Sequence, residues 1–186
     1  MLLFVGLGNP TPDSENNRHN VGFKIIDAIN KKFSLSKQKP KFKGLLTTGN
    51  IDGEKVYAIK PLTFMNNSGI CIRELLEYFK FDAEDVIVFH DDLDVEFGKI
   101  KAKFGGSNAG HNGIASIDKF IGKDYSRVRI GISKPKGKIE VGDYVLQNFD
   151  EDELVGIDKI SENITESIED LIKKKLDLFS STVNNK

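Results

Sequence analysis

Three histidines occur among the 186 residues, and each stands where the chain turns or a strand ends. His19 lies in Arg18-His19-Asn20, after an asparagine-rich loop; His90 ends an apolar run and leads into Asp91-Asp92; His111 closes the glycine-rich stretch 105–113. Imidazole titrates closest to neutrality, so it is the side chain best suited to taking a proton from water. Amides share the same loops: Asn9 follows the first apolar run, Asn66 stands at an expected helix start, and Asn112 adjoins His111. An amide offers both a donor and an acceptor, so three in one cleft can hold a peptide backbone and a developing oxyanion. Taken singly, each histidine fits a cap or a packing role equally well, and each asparagine fits a turn or N-cap better. Only the combination points to chemistry.

Other chemistries leave marks that are missing. Gly6-Leu7-Gly8 has Thr11 where a dinucleotide fingerprint needs its third glycine. No G-x-S-x-G elbow exists; Ser107 comes nearest, and Ala109 breaks it. Cys71 falls in an apolar helical stretch and is expected in the core. The histidines and Asp91 are ligand types, but they lack the close helical pairing of zinc motifs, so no metal is expected. What survives is water activated by a histidine that a carboxylate orients, without a covalent nucleophile.

These residues need a scaffold. Residues 2–7 are apolar and end in Gly8-Asn9-Pro10, which predicts a buried strand feeding a loop. Val21, Ile25, Ile26 and Ile29 recur at helical spacing, closed by Lys31-Lys32. Residues 45–60 predict a hairpin about Asp52-Gly53. A second helix starts near 66–68 and buries Ile72, Leu75, Leu76 and Phe79. Residues 86–89 predict a central strand covered on both faces. Residues 98–104 alternate lysine with apolar side chains, giving Lys101 and Lys103 one exposed face and the remainder a packed one. Ile114, Ile117, Phe120 and Ile121 mark another helix, and Val128, Ile130 and Ile132 another strand. Residues 134–142 are expected as a loop and 150–178 as mostly helix. Strands alternating with helices define an α/β class: one domain over 1–186, a mixed twisted sheet surrounded by helices, helical from about 150. In such sheets the site forms beyond the carboxyl ends of the strands, where Asn9 and Asp91 would arrive.

The bulk numbers are compatible. With 39% hydrophobic and 30% charged residues the composition is globular, and the net charge of -1 leaves room for a local basic stripe. One cysteine excludes an internal disulfide. No run suits a signal peptide or a bilayer span, so the cytoplasm is expected, with no membrane partner. Nothing in the sequence suggests an obligate interface, and a monomer is the default expectation.

Several segments, in order, carry a resemblance: Val5-Gly6-Leu7-Gly8-Asn9-Pro10, Arg18-His19-Asn20-Val21-Gly22, Thr63-Phe64-Met65-Asn66-Asn67-Ser68-Gly69, His90-Asp91-Asp92-Leu93-Asp94, Gly110-His111-Asn112-Gly113 and Arg129-Ile130-Gly131-Ile132. Each is short; together they resemble the bacterial peptidyl-tRNA hydrolase family from Leu3 to about Phe149. The resemblance implies hydrolysis of the ester between peptide and tRNA, without a cofactor, with peptidyl-tRNA as partner. It implies His19 as general base and Asp91 as its orienting partner. Asn9, Asn66 and Asn112 would hold the peptide and the water or oxyanion, with Met65 shaping the pocket and His111 supporting the cleft. Lys101, Lys103 and Arg129 match positions that grip acceptor-end phosphates. Two departures stand out: Ser14 where the family usually has Tyr, and Ser107-Asn108-Ala109 in the glycine-rich loop. The rival the resemblance allows is a non-catalytic RNA-binding protein on the same scaffold, and a metal aminopeptidase is a third reading.

Overall fold

The computed structural model describes residues 1–186. Seven strands form one sheet in the order β2-β3-β4-β1-β5-β7-β6. They are β1 (Leu2–Gly6), β2 (Lys39–Lys41), β3 (Gly44–Ile51), β4 (Glu54–Pro61), β5 (Val86–Asp92), β6 (Ile100–Phe104) and β7 (Ser126–Gly131). β4, β1, β5 and β7 run parallel, while β3 joins β4 and β6 joins β7 antiparallel. The four parallel strands therefore end on one side of the molecule. β5 is buried at all seven positions, which is why its sequence is apolar without alternation.

Helices cover both faces: α1 (Val21–Lys32), α2 (Ser68–Phe79), α3 (Asn112–Ile121), α4 (Val141–Val145), α5 (Glu151–Glu166), α6 (Ile168–Ile172) and α7 (Leu176–Asn184). On one face Phe4, Phe89 and Val128 pack with Ile25 of α1, Ile157 of α5 and Phe179 of α7. On the other, Leu3, Val5 and Val88 pack with Ile72 of α2 and Ile114 of α3. The expected mixed sheet with surrounding helices is what forms.

Local differences have physical reasons. β2 was not anticipated because Lys39-Pro40-Lys41 carries no apolar pattern; it is an exposed edge, where lysine and proline discourage further pairing. The loop after Lys134 ends at Glu140, since α4 begins at Val141. The helical tail is three helices, broken at Ser167 and at 173–175, and it continues to Asn184. Phe104 is half-exposed, so the packed side of β6 is confined to Ile100 and Ala102. The main chain of those two residues is capped by α7, through Asn184 on Ile100 (2.9 Å from N and 2.9 Å from O) and Ser180 on Ala102 (2.8 Å). α7 thus closes a sheet edge that would otherwise offer free donors and acceptors.

One contact sets the site. A Cβ at Gly22 would lie 2.4 Å from the Leu7 nitrogen and the Phe89 oxygen, and one at Gly6 would lie 2.2 Å from the Gly22 oxygen. The start of α1 therefore touches the ends of β1 and β5 backbone to backbone, which brings His19 beside Asp91. Gly22→Ala should cost about 3 kcal/mol or more, because the clash is with main chain that cannot rotate away. Chemical denaturation would show this; an unchanged midpoint would mean that α1 sits farther from the sheet.

Candidate active site

His19 lies in a short 3-10 turn (Arg18–Asn20) ahead of α1, and its Nδ1 is 3.0 and 2.9 Å from the two carboxylate oxygens of Asp91. An ionised carboxylate only accepts, so Nδ1 carries the proton and Nε2 of His19 is left bare. His111 approaches the same carboxylate, with Nε2 at 2.8 Å from Oδ1. Its Nδ1 accepts from the amides of Gly113 (3.1 Å) and Ile114 (3.3 Å), which makes His111 the N-cap of α3. Both nitrogens of His111 are thus committed. The cap expected of an asparagine is supplied by this histidine, and Asn112 is left free at the first position of the helix.

Burial pushes the Asp91 carboxyl up, but the charges and hydrogen bonds of His111 and His19 outweigh it and hold it well below the usual carboxylate range. His90 points elsewhere: its Nδ1 donates to the Asp91 carbonyl at 2.8 Å, and its Nε2 is buried without a partner. Burial, then the charge of His111, push His90 down to about 4 from 6.5. The unfolded chain therefore binds a proton at His90 that the folded one refuses. Its contribution to stability is complete above about pH 6.5 and is lost progressively as pH falls below that. Urea midpoints should hold from pH 8 to 6.5 and then drop; a flat profile down to pH 5 would contradict the neutral, buried imidazole.

The fold brings His19, Asp91 and His111 within 4.8 Å of one another, a grouping of metal-ligand types that the chain spacing did not foretell. All three atoms are already joined by hydrogen bonds, so a cation would have to displace both imidazole protons from the carboxylate.

The amides lie on the other side of His19. Asn20 clamps the main chain of Asn9, accepting from its N–H and donating to its carbonyl, both at 2.9 Å. Asn9 Oδ1 in turn accepts from the Met65 amide at 2.9 Å. That fixes the flip of the Asn9 side chain and leaves its NH2 as the free half. Asn66 stands exposed in the 3-10 turn before α2 and makes no capping bond. Asn9, Met65, Asn66 and Asn112 line a cavity of about 320 Å³ with Phe64, Val145 and Leu146. A larger one of about 620 Å³ opens beside it, lined by Asp91, Asp94, Asn108, His111 and Lys134 among others. His19, Asn112, Gly142 and Val145 belong to both.

Lys101 and Lys103 are exposed on β6, and their cross-strand partners are Arg129 and Arg127. Directly paired residues share a face, so four cations stand on one side of this edge. They are not equivalent. Arg127 is buried against Asp118 at 2.9 Å, and Arg129 is held by Asp92 at 2.7 Å while still partly exposed.

Two positioning residues escaped the sequence. Asn20 acts through Asn9, as above. Arg18 is buried, with its guanidinium 4.2 Å from the centroid of the Tyr144 ring and 3.2 Å from Glu153, so it ties the His19 turn to α4 and α5. Neither has a periodic signal, because each acts across more than a hundred residues of chain or through main-chain atoms. Ser14, where an aromatic was expected by resemblance, is buried and bonded to Thr11 (2.6 Å).

A bare histidine nitrogen, an anion that orients the ring and fixed amide donors about one cleft are the parts of an acyl-hydrolase site. The comparisons with known proteins agree on the particular kind. A sequence model of the peptidyl-tRNA hydrolase family matches residues 3–186, and the chain belongs to that family. It is 80% identical to the peptidyl-tRNA hydrolase of Pelagibacter ubique (strain HTCC1062) over 186 residues, all of both chains. It is 46% identical to that of Bartonella quintana (strain Toulouse) over 184 residues, 99% of this chain and 95% of the relative. The crystal structure of peptidyl-tRNA hydrolase from Acinetobacter baumannii superimposes with a TM-score of 0.91 at 32% identity, covering 99% of this chain and 94% of that one.

Proposed function

We propose that the protein hydrolyses peptidyl-tRNA at the ester joining the last peptide residue to the terminal ribose, with His19 as base. The observation that carries this is the Asp91 carboxylate lodged between His19 and His111, with His19 in the wall of the amide-lined cleft. Nε2 of His19 takes a proton from water as the oxygen attacks the ester carbonyl. Asp91 steadies the imidazolium without accepting the proton, in keeping with a carboxyl held strongly ionised. The NH2 of Asn9, with Asn112, donates to the carbonyl oxygen as it becomes negative, and Asn66 and Met65 hold the peptide. Collapse expels the ribose oxygen, which receives the proton back from His19, giving free peptide and intact tRNA. Base catalysis of this kind is worth about 10² to 10⁴-fold and an oxyanion donor about 10² to 10³-fold. No step needs a metal.

Lys101, Lys103 and Arg129 supply the phosphate grip in this reading, with Asp92 presetting the Arg129 fork. Translation makes the substrate in the cytoplasm, which is where the enzyme would work. Every group in the scheme comes from one chain, which suits a monomer. No helix is long and apolar enough to cross a membrane.

The test is peptide release from an N-acetylated aminoacyl-tRNA, measured with and without chelator. Rapid release supports the reading; binding without release would favour a non-catalytic RNA-binding protein, and release only without chelator a metal enzyme. Replacing Lys101 and Lys103 together by Glu should raise KM about tenfold or more at moderate salt and flatten its salt dependence by about two counterions, leaving kcat alone. A salt slope equal to wild type would remove both lysines from the RNA contact.

A further inference from the structure

His90 is the one histidine that the scheme above leaves without a task, and its surroundings are unusual. The imidazole is buried, yet it makes a single hydrogen bond, Nδ1–H to the Asp91 carbonyl at 2.8 Å. Its Nε2 lone pair meets no donor, a cost that an apolar ring of the same shape would not carry. The ring edge stands against His111, with centroids 5.1 Å apart and planes at 72°. His90 therefore touches both components of the second half of the site: the main chain of Asp91 and the ring of His111.

We propose that His90 is a positioning residue for the hydrolysis, pinning the Asp91 main chain at the end of β5 and bracing His111, so that the shared carboxylate stays aligned on His19. The bond to the carbonyl lies at the last rungs of β5, still paired with β7 through Asp92, and adds a side-chain tie to the ladder just before the chain leaves the sheet. The brace matters because His111 has no slack: it is held by two α3 amides behind and the carboxylate in front. The charged and titratable groups about His90 are Asp91 and Asp92 on its own strand, His111 from α3 and its cross-strand partner Arg129. With burial holding it neutral, its only proton stays on Nδ1 near pH 7. Misplacing a catalytic group by about 1 Å can cost about a hundredfold in rate, so a small slip of Asp91 suffices for a visible effect.

The inference rests on the hydrolase reading, but one of its readouts does not. His90→Phe keeps the ring that braces His111 and loses the donor; His90→Asn places a side-chain N–H close to where Nδ1–H stood. For wild type and both variants, kcat and KM would be measured on an N-acetylated aminoacyl-tRNA, and the His19 Nδ1 proton followed by NMR. Expected for His90→Phe is a fall in kcat of about ten- to a hundredfold at nearly unchanged KM, with the His19 Nδ1 proton resonance lost or shifted upfield. His90→Asn, which restores the donor but not the ring, should recover part of both and fall short of wild type by what the brace contributes. If His90→Phe keeps wild-type kcat and the wild-type proton resonance, or if both variants lose activity only in step with thermal stability, His90 is mere packing. Should wild type release no peptide at all, the hydrolase reading fails, and the NMR comparison still decides whether His90 aligns the His19–Asp91 pair.

Discussion

Peptide release by His19→Ala is expected to fall by at least about 10²-fold and up to about 10⁴-fold in kcat, with binding of tRNA within about threefold of wild type. The split follows from where the residue sits. His19 lines both cavities at their junction and makes no bond to the β6–β7 cations that would carry the RNA phosphates, its Nδ1 being spent on Asp91. Its removal takes away the bare Nε2 and nothing that faces a phosphate. The residual rate would come from the amide donors and from holding ester and water together. Single-turnover release, paired with a binding titration on uncleavable tRNA, measures both. A variant within tenfold of wild type would mean that another group activates the water, and Asp91 would then have no ring to orient.

The second large effect is expected from Asp91→Asn, and its mechanism is a change of tautomer. His111 cannot adapt, because its Nδ1 is held as an acceptor by two α3 amides and its Nε2 must donate. The new amide must therefore turn its oxygen toward His111, at the place of Oδ1. Its NH2 then takes the place of Oδ2 and faces His19 Nδ1. To accept that hydrogen bond His19 has to give up its Nδ1 proton and carry one on Nε2 instead. The nitrogen facing water becomes a donor, and the base is disabled although the residue is intact. A loss of about 10² to 10⁴-fold is expected, the upper end being about the size seen when the same exchange is made in a Ser-His-Asp triad. Nitrogen chemical shifts of His19 would report the proton on Nε2 in the variant and on Nδ1 in wild type. Finding it on Nδ1 in both would show that His111, not His19, is the ring that gives way.

How much of this was legible beforehand depends on whether a feature is local in the chain. β5 announced itself, because a strand buried on both faces must be apolar throughout. The start of α1 and the hairpin of β3 and β4 were visible from spacing and from Asp52-Gly53. Asn9, His19 and Asp91 were legible as candidates because loops at strand ends in α/β sheets are where chemistry collects. The geometry was not legible. Nothing in the order of residues says that one carboxylate serves two histidines, that His111 caps α3, or that the Asn9 amide is flipped by a peptide from Met65. The His111 cap spans only two and three residues, but the other contacts span 20 to 72. Alternation along β6 does place Lys101 and Lys103 in solvent, but it could not show that Arg127, across from Lys103, is spent on Asp118. β2 was invisible for the opposite reason: an edge strand guarded by lysine and proline has no apolar face to display.

The two cavities touch only along a short seam of four residues, His19, Asn112, Gly142 and Val145. One is walled by Phe64, Met65 and Leu146 with amides between them, the other by Leu93, Pro135 and Val141 beside Asp91, Asp94 and Lys134, so each offers apolar wall next to polar groups. Two weak fragments, one seated in each cavity, could be joined across that seam by a few atoms. Such a bridge turns the second binding event into an intramolecular one at about millimolar effective concentration, which commonly raises affinity about 10² to 10⁴-fold with no new contact. The tether itself would lie on His19, so the same compound would shut off the base while spanning the cleft.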